Sequence, residues 1–111
     1  MKTALQIEED NLKKAALRLR AINNKLRIII MQLIHKNGSM IVQDIYRKLK
    51  IEQSVTSQHL SILRNANLVI AKREGKFIYY SVNYEQLDFL QKTAQKFLEI
   101  KFKNGEELQK R

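Results

Sequence analysis

The sequence contains no cysteine, no proline and no tryptophan, and only three glycines, Gly38, Gly75 and Gly105. The lack of cysteine excludes disulfides, thiolate metal sites, iron–sulfur clusters, cysteine nucleophiles and thiol redox sensing, and argues against a secreted disulfide scaffold. No proline-rich or serine-rich linker divides the chain and no repeat period runs through it, so residues 1–111 read as one domain with a modest core. No apolar run reaches the length that crosses a bilayer, and MKTALQIEED turns acidic and polar too early for a secretory signal. A cytoplasmic location is expected. No nucleophile with a base, paired carboxylates, metal cluster or glycine-rich phosphate loop is visible, so the expectation is no catalytic residue, no cofactor and no enzyme.

Positive charge is what the chain has in excess. Its 21 Lys and Arg against 11 Asp and Glu give a net charge of +10. The surplus is central: residues 27–83 carry nine Lys/Arg and three Asp/Glu, whereas residues 84–111 carry six and five. A cationic surface attracts polyanions and gains affinity by releasing counterions from phosphate backbones. A membrane surface is the weaker candidate, because the first amphipathic stretch carries Glu8, Glu9 and Asp10 and has no tryptophan anchor. RNA would want an aromatic stacking platform that is not evident. Double-stranded DNA is the expected partner.

Apolar periodicity divides the chain into elements. Leu5, Leu12 and Leu19 recur seven apart, with Ala15 or Ala16 between them and Ile22 one turn on, forming a helix with a narrow seam suited to a partner helix. Leu26, Ile29, Ile30, Leu33 and Ile34 mark a buried helix that stops at Lys36-Asn37-Gly38. Two short helical stretches follow, Val42–Leu49 and Gln53–Asn65, separated by Lys50-Ile51-Glu52. From Leu68 to Asn83, β-branched and aromatic residues flank a turn with Gly75 at its tip, a β-hairpin. Leu87, Leu90, Ala94, Phe97 and Leu98 mark a last helix, from about Tyr84 to Phe102. The fold class is mainly α with a small β-hairpin wing.

Two short helices joined by a brief turn are a helix-turn-helix, whose second helix enters the major groove while the first braces it. Here Gln43–Leu49 would brace and Gln53–Asn65 would read. Thr56, Leu60 and Leu63 share an inward face, leaving Gln53, Ser54, Ser57, Gln58 and Ser61 outward. Hydroxyl and amide groups donate to and accept from base edges without blocking approach, and Gln58 is the best candidate for base contact. Lys72, Arg73 and Lys76 around the hairpin tip can reach the backbone or minor groove, with Arg64 and Arg47 adding phosphate contacts. Soluble helices also carry Ser and Gln for no functional reason, and hairpin-tip cations are often merely solvated. The hairpin directly following the helix pair is what favours the DNA reading.

The combination of Ser57-x-His59-Leu60, Leu63-Arg64-x-Ala66-x-Leu68-Val69 and Arg73-x-Gly75-x-x-x-Tyr79-Tyr80 resembles the ArsR/SmtB family of winged-helix repressors across roughly residues 20–83. The resemblance implies a winged helix-turn-helix that pairs through its first and last helices. It implies a palindromic operator and release by a signal, for which an unknown small-molecule inducer and no signal at all both stay open, and it places His59 on the DNA-binding helix in a structural or phosphate-facing role. The dimer interface is then expected at Leu5, Leu12, Leu19, Leu87, Leu90 and Phe97, unless these only complete a monomer core. A two-fold dimer doubles the base contacts of a single reading helix and matches a pseudo-palindrome.

The family's metal-binding Cys-Val-Cys-Asp motif is replaced by Ile41-Val42-Gln43-Asp44, and residues 84–111 hold no histidine for the second family site. His35 and His59 stand apart from other ligand-type residues, so no metal is expected. Glu52 stands where the family has a capping serine, predicting a shifted start or a local weakening of the reading helix. The alternative function is a winged-helix module for protein–protein contact, which would have no need of the central cationic surplus.

Overall fold

The computed structural model describes residues 3–93, 95 and 96. Helix α1 (Ala4–Ile22) opens with a capping box, in which Gln6 N–H donates to Thr3 Oγ1 and Thr3 N–H to Gln6 Oε1. It breaks at Asn23-Asn24, where Asn24 caps α2 (Lys25–Asn37) by accepting from the Arg27 N–H at 3.0 Å. Gly38 ends α2 at φ +84°, a backbone region that a residue with a Cβ enters only at a cost. Strand β1 (Met40–Ile41) leads without a linker into α3 (Val42–Leu49), and α4 (Gln53–Asn65) follows a three-residue turn. Strands β2 (Val69–Glu74) and β3 (Phe77–Val82) form the hairpin, and residues 84–93, here α5, are helical, as are 95 and 96.

The sheet has the order β1-β3-β2 and is antiparallel throughout, with Val69 opposite Val82 at the root and Glu74 opposite Phe77 at the tip. The loop is Gly75-Lys76, with positive φ at Gly75 alone, the pattern of a type II′ turn. The expected order of four helices, hairpin and helix is therefore present. Strand β1 is an addition: two residues are too few to show alternation in a sequence, and pairing with Tyr79 and Tyr80 is what defines them as a strand.

The core lies between α2, α3, α4 and the hairpin root. Ile30, Ile34, Ile45, Leu63 and Leu68 are fully buried, with Leu60 and Val69 nearly so. From α1, Ala15 and Ala21 are buried, while Leu12 and Leu19 are 40% and 49% exposed. Leu87 packs against the core and Leu90 is 6% exposed, so these two are largely covered by their own chain. Phe97 and the side chain of Leu5 lie outside the described residues. Among the described residues no helix is long and apolar enough to cross a membrane.

Candidate nucleic-acid interface

The turn between α3 and α4 is built on Lys50, which adopts the left-handed conformation (φ 55°, ψ 46°) and closes α3, while Ile51 N–H bonds the Tyr46 carbonyl at 3.1 Å. Helix α4 begins at Gln53, where the sequence places it. Glu52 occupies the N-cap with no side-chain cap bond, and its carbonyl accepts from both the backbone N–H and the hydroxyl of Thr56, each at 3.1 Å. The departure from serine thus leaves the start unshifted and the cap unused. Thr56 is fully buried, so this hydroxyl bond satisfies a group that would otherwise be costly in the core.

The far end of α4 is a Schellman motif. Leu68 N–H bonds the Leu63 carbonyl and Asn67 N–H the Arg64 carbonyl, both at 2.9 Å, with Asn67 at φ +63°. Asparagine tolerates that conformation, and the accompanying apolar contact is supplied by Leu63 and Leu68, both in the core. The helix is therefore fixed at both ends with Thr56, Leu60 and Leu63 inward.

The opposite face carries Gln53, Ser54, Ser57, Gln58, Ser61 and Arg64, all exposed. At the wing Lys72, Arg73 and Lys76 are exposed as well. Arg73 Nε donates to the Gly75 carbonyl at 3.4 Å, and Lys76 Nζ lies 5.8 Å from the Phe77 ring centre. Lys72 stands 3.7 Å from Glu74, both well exposed, and a pair of this kind contributes only about 0–1 kcal/mol, too little to hold the lysine from a phosphate. On the bracing helix Arg47 is exposed beside Tyr46, 5.9 Å from its ring centre.

His59 is placed differently from the other nine candidates. It is half-buried, with Nδ1 3.2 Å from Arg27 Nη1 of α2. Guanidinium only donates, so Nδ1 accepts and the neutral ring carries its proton on Nε2. Burial first, and the Arg27 charge second, lower the His59 pKa below its ordinary 6.5. The folded chain then binds this proton more weakly than the unfolded chain. The stability it contributes is complete above 6.5 and is lost as pH falls through the folded value. His59→Asn is expected to flatten that part of the acid limb, measured as urea midpoints over a pH series.

His35 closes α2 and meets α5 instead, with Nδ1 2.6 Å from the Tyr84 hydroxyl and the two rings edge to face. Among the described residues no group of three or more His, Asp or Glu is arranged to hold a metal ion. Sequence reasoning missed Asn24 as a cap and Arg27 as a partner of the reading helix. The first is a recognisable cap residue before an apolar run; the second pairs across 32 positions and leaves no local signal.

Residues 24–71 match the family profile described as bacterial regulatory protein, arsR family. The chain is 39% identical over 70 residues to an uncharacterised HTH-type transcriptional regulator of Methanocaldococcus jannaschii, covering 63% of this chain and 79% of the relative. It is 39% identical over 64 residues to the transcriptional repressor SdpR of Bacillus subtilis, covering 58% and 70%. Among solved structures it is similar to NolR from Sinorhizobium fredii, with a TM-score of 0.64 and 32% identity over 90% of this chain and 96% of that one. The exposed polar face of α4, the cationic wing beside it and these likenesses converge: the chain belongs to the ArsR family of bacterial transcriptional regulators.

Proposed function

We propose that the protein is a repressor, a single winged-helix domain that binds a palindromic operator in double-stranded DNA as a homodimer. The observation that carries this reading is the pairing of a polar, exposed α4 face with three exposed cations on the adjacent wing. The first supplies base-edge contact in the major groove; the second supplies phosphate or minor-groove contact alongside it. The exposure of Leu12 and Leu19 supports a second copy pairing along α1, and Leu19, Ile22 and Ile28 line an open depression of about 430 Å³ continuous with that seam. Burying such residues against a partner contributes about 25 cal/mol per Å² of apolar surface.

Selection of genomic fragments with the purified protein, followed by affinity for the best fragment against a scrambled one at two salt concentrations, tests the reading. An enriched inverted repeat with steep salt dependence is expected. Weak binding indifferent to sequence would turn the assignment to a protein-contact module. Within that assay Gln58→Ala is expected to cost about 1–3 kcal/mol on the selected fragment and little on scrambled DNA, the signature of a lost base contact.

A further inference from the structure

Behind the DNA-facing surface, two arginines tie α4 to the helix that precedes the reading head. Arg27, in the first turn of α2, makes a hydrogen bond with each of its three guanidinium nitrogens. Nε donates to the Ala21 carbonyl, Nη2 to the Arg20 carbonyl at 3.4 Å, and Nη1 to His59 Nδ1 at 3.2 Å. The carbonyls belong to the last turn of α1 and the imidazole to the middle of α4. Arg18, one turn earlier in α1, donates from Nε to the carbonyl of Ala66, the C-cap of α4, at 3.2 Å. Its guanidinium carbon also sits 5.4 Å from the ring centre of Phe89 in α5.

Stability alone is a poor account of Arg18. Its Nη1 is buried with no hydrogen-bond partner among the described residues, which offsets part of what its other contacts contribute. A methionine of similar reach would fill the same space without an unpaired Nη1, at the loss of the single bond to the Ala66 carbonyl. What the guanidinium adds is direction: a fixed donor aimed at one carbonyl. The two anchor points, His59 and Ala66, lie seven residues or about 10 Å apart along the helix. A helix held at two such points cannot turn or slide against its support, and turning it would change which of Ser57, Gln58 and Ser61 meets a base edge.

We infer that Arg18 and Arg27 are positioning residues for DNA recognition, anchoring the end and the middle of α4 to α1 and so setting the angle and depth of the reading face. The inference rests on the DNA-binding reading above. It also makes α1 the support of the reading head, so that a partner pairing along α1 acts on the same rigid unit.

The test uses the full-length chain with Arg18→Met, Arg27→Met and, as a charge control, Arg27→Lys, which cannot reach two carbonyls and His59 at once. Each methionine variant is expected to lower the ratio of operator to scrambled-DNA affinity roughly ten-fold or more, the scale of one lost base contact, while scrambled-DNA affinity holds within about two-fold. Arg27→Lys is expected to follow Arg27→Met and not the wild type. Nitrogen NMR of the His59 ring should show the Nε2–H form in the wild type and a tautomer mixture in both Arg27 variants. If Arg27→Met fails to fold, Arg27→Lys carries the same comparison. An unchanged ratio in folded variants overturns the inference, as does a parallel loss on both DNAs that tracks the folded fraction. A wild type with no operator preference removes the DNA-binding reading itself, and the inference with it.

Discussion

Replacing Lys72, Arg73 and Lys76 together with alanine is expected to weaken binding to operator and scrambled DNA alike, by roughly two orders of magnitude at about 0.1 M salt. Each phosphate neutralised by a cation contributes close to one unit to the slope of log affinity against log salt, so the slope should become shallower by about two to three units. The three side chains are exposed, and their neighbours Glu74, Phe77 and the Gly75 carbonyl hold them only weakly, so all three are available to a duplex. The contrast with Gln58→Ala is the point of the measurement. A wing variant should lose affinity for both DNAs and keep its preference, whereas a reading-face variant should lose affinity for the operator alone and with it the preference. A salt slope unchanged by the triple replacement would move the phosphate contacts to other cations, Arg47 and Arg64 first.

Leu63→Ala is expected to cost about 2–5 kcal/mol of folding stability, a large share of the roughly 5–15 kcal/mol available to a domain of this size. Leu63 is fully buried, and its carbonyl also accepts the bond that closes the end of α4. Alanine there leaves a cavity among Leu60, Leu68 and the residues of α2 and α3 that pack with them. Urea denaturation should show the midpoint falling with the slope unchanged. At moderate temperature the same variant should lose DNA binding in proportion to its unfolded fraction, with no change in preference among the molecules that remain folded. A cost below about 1 kcal/mol would mean that the core can close around the smaller side chain.

Most of this architecture is legible where one residue type has one local meaning. Gly38 and Gly75 mark the end of α2 and the hairpin loop because each holds a positive φ, and the inward face of α4 follows from the spacing of Thr56, Leu60 and Leu63. The outward face then follows by exclusion, and every candidate on it is exposed. What the residues could not disclose depends on partners distant in the chain. His59 reads as a structural or phosphate-facing residue of the DNA helix, yet the partner that gives it a structural role, Arg27, lies 32 positions away, beside the half-buried ring. Leu90 matches a seam residue by period, yet it is already covered by its own chain, whereas Leu12 and Leu19 at the same kind of spacing stay exposed. Periodicity identifies the apolar stripe of a helix; only the packing decides whether that stripe faces its own core or another molecule.

The join between β1 and α3 bears on how the protein measures a duplex. Ile41 is at once the last residue of the strand paired to the wing and the N-cap of the bracing helix, so no hinge separates the two. On the DNA-binding mode proposed above, the middle of the wing and the helix pair would act as the two arms of a calliper joined directly at Ile41. A DNA whose grooves match the span between those arms would be gripped as it stands, and one whose grooves are out of step would have to be bent or twisted to fit. Base pairs that no side chain touches would then influence affinity through their stiffness alone.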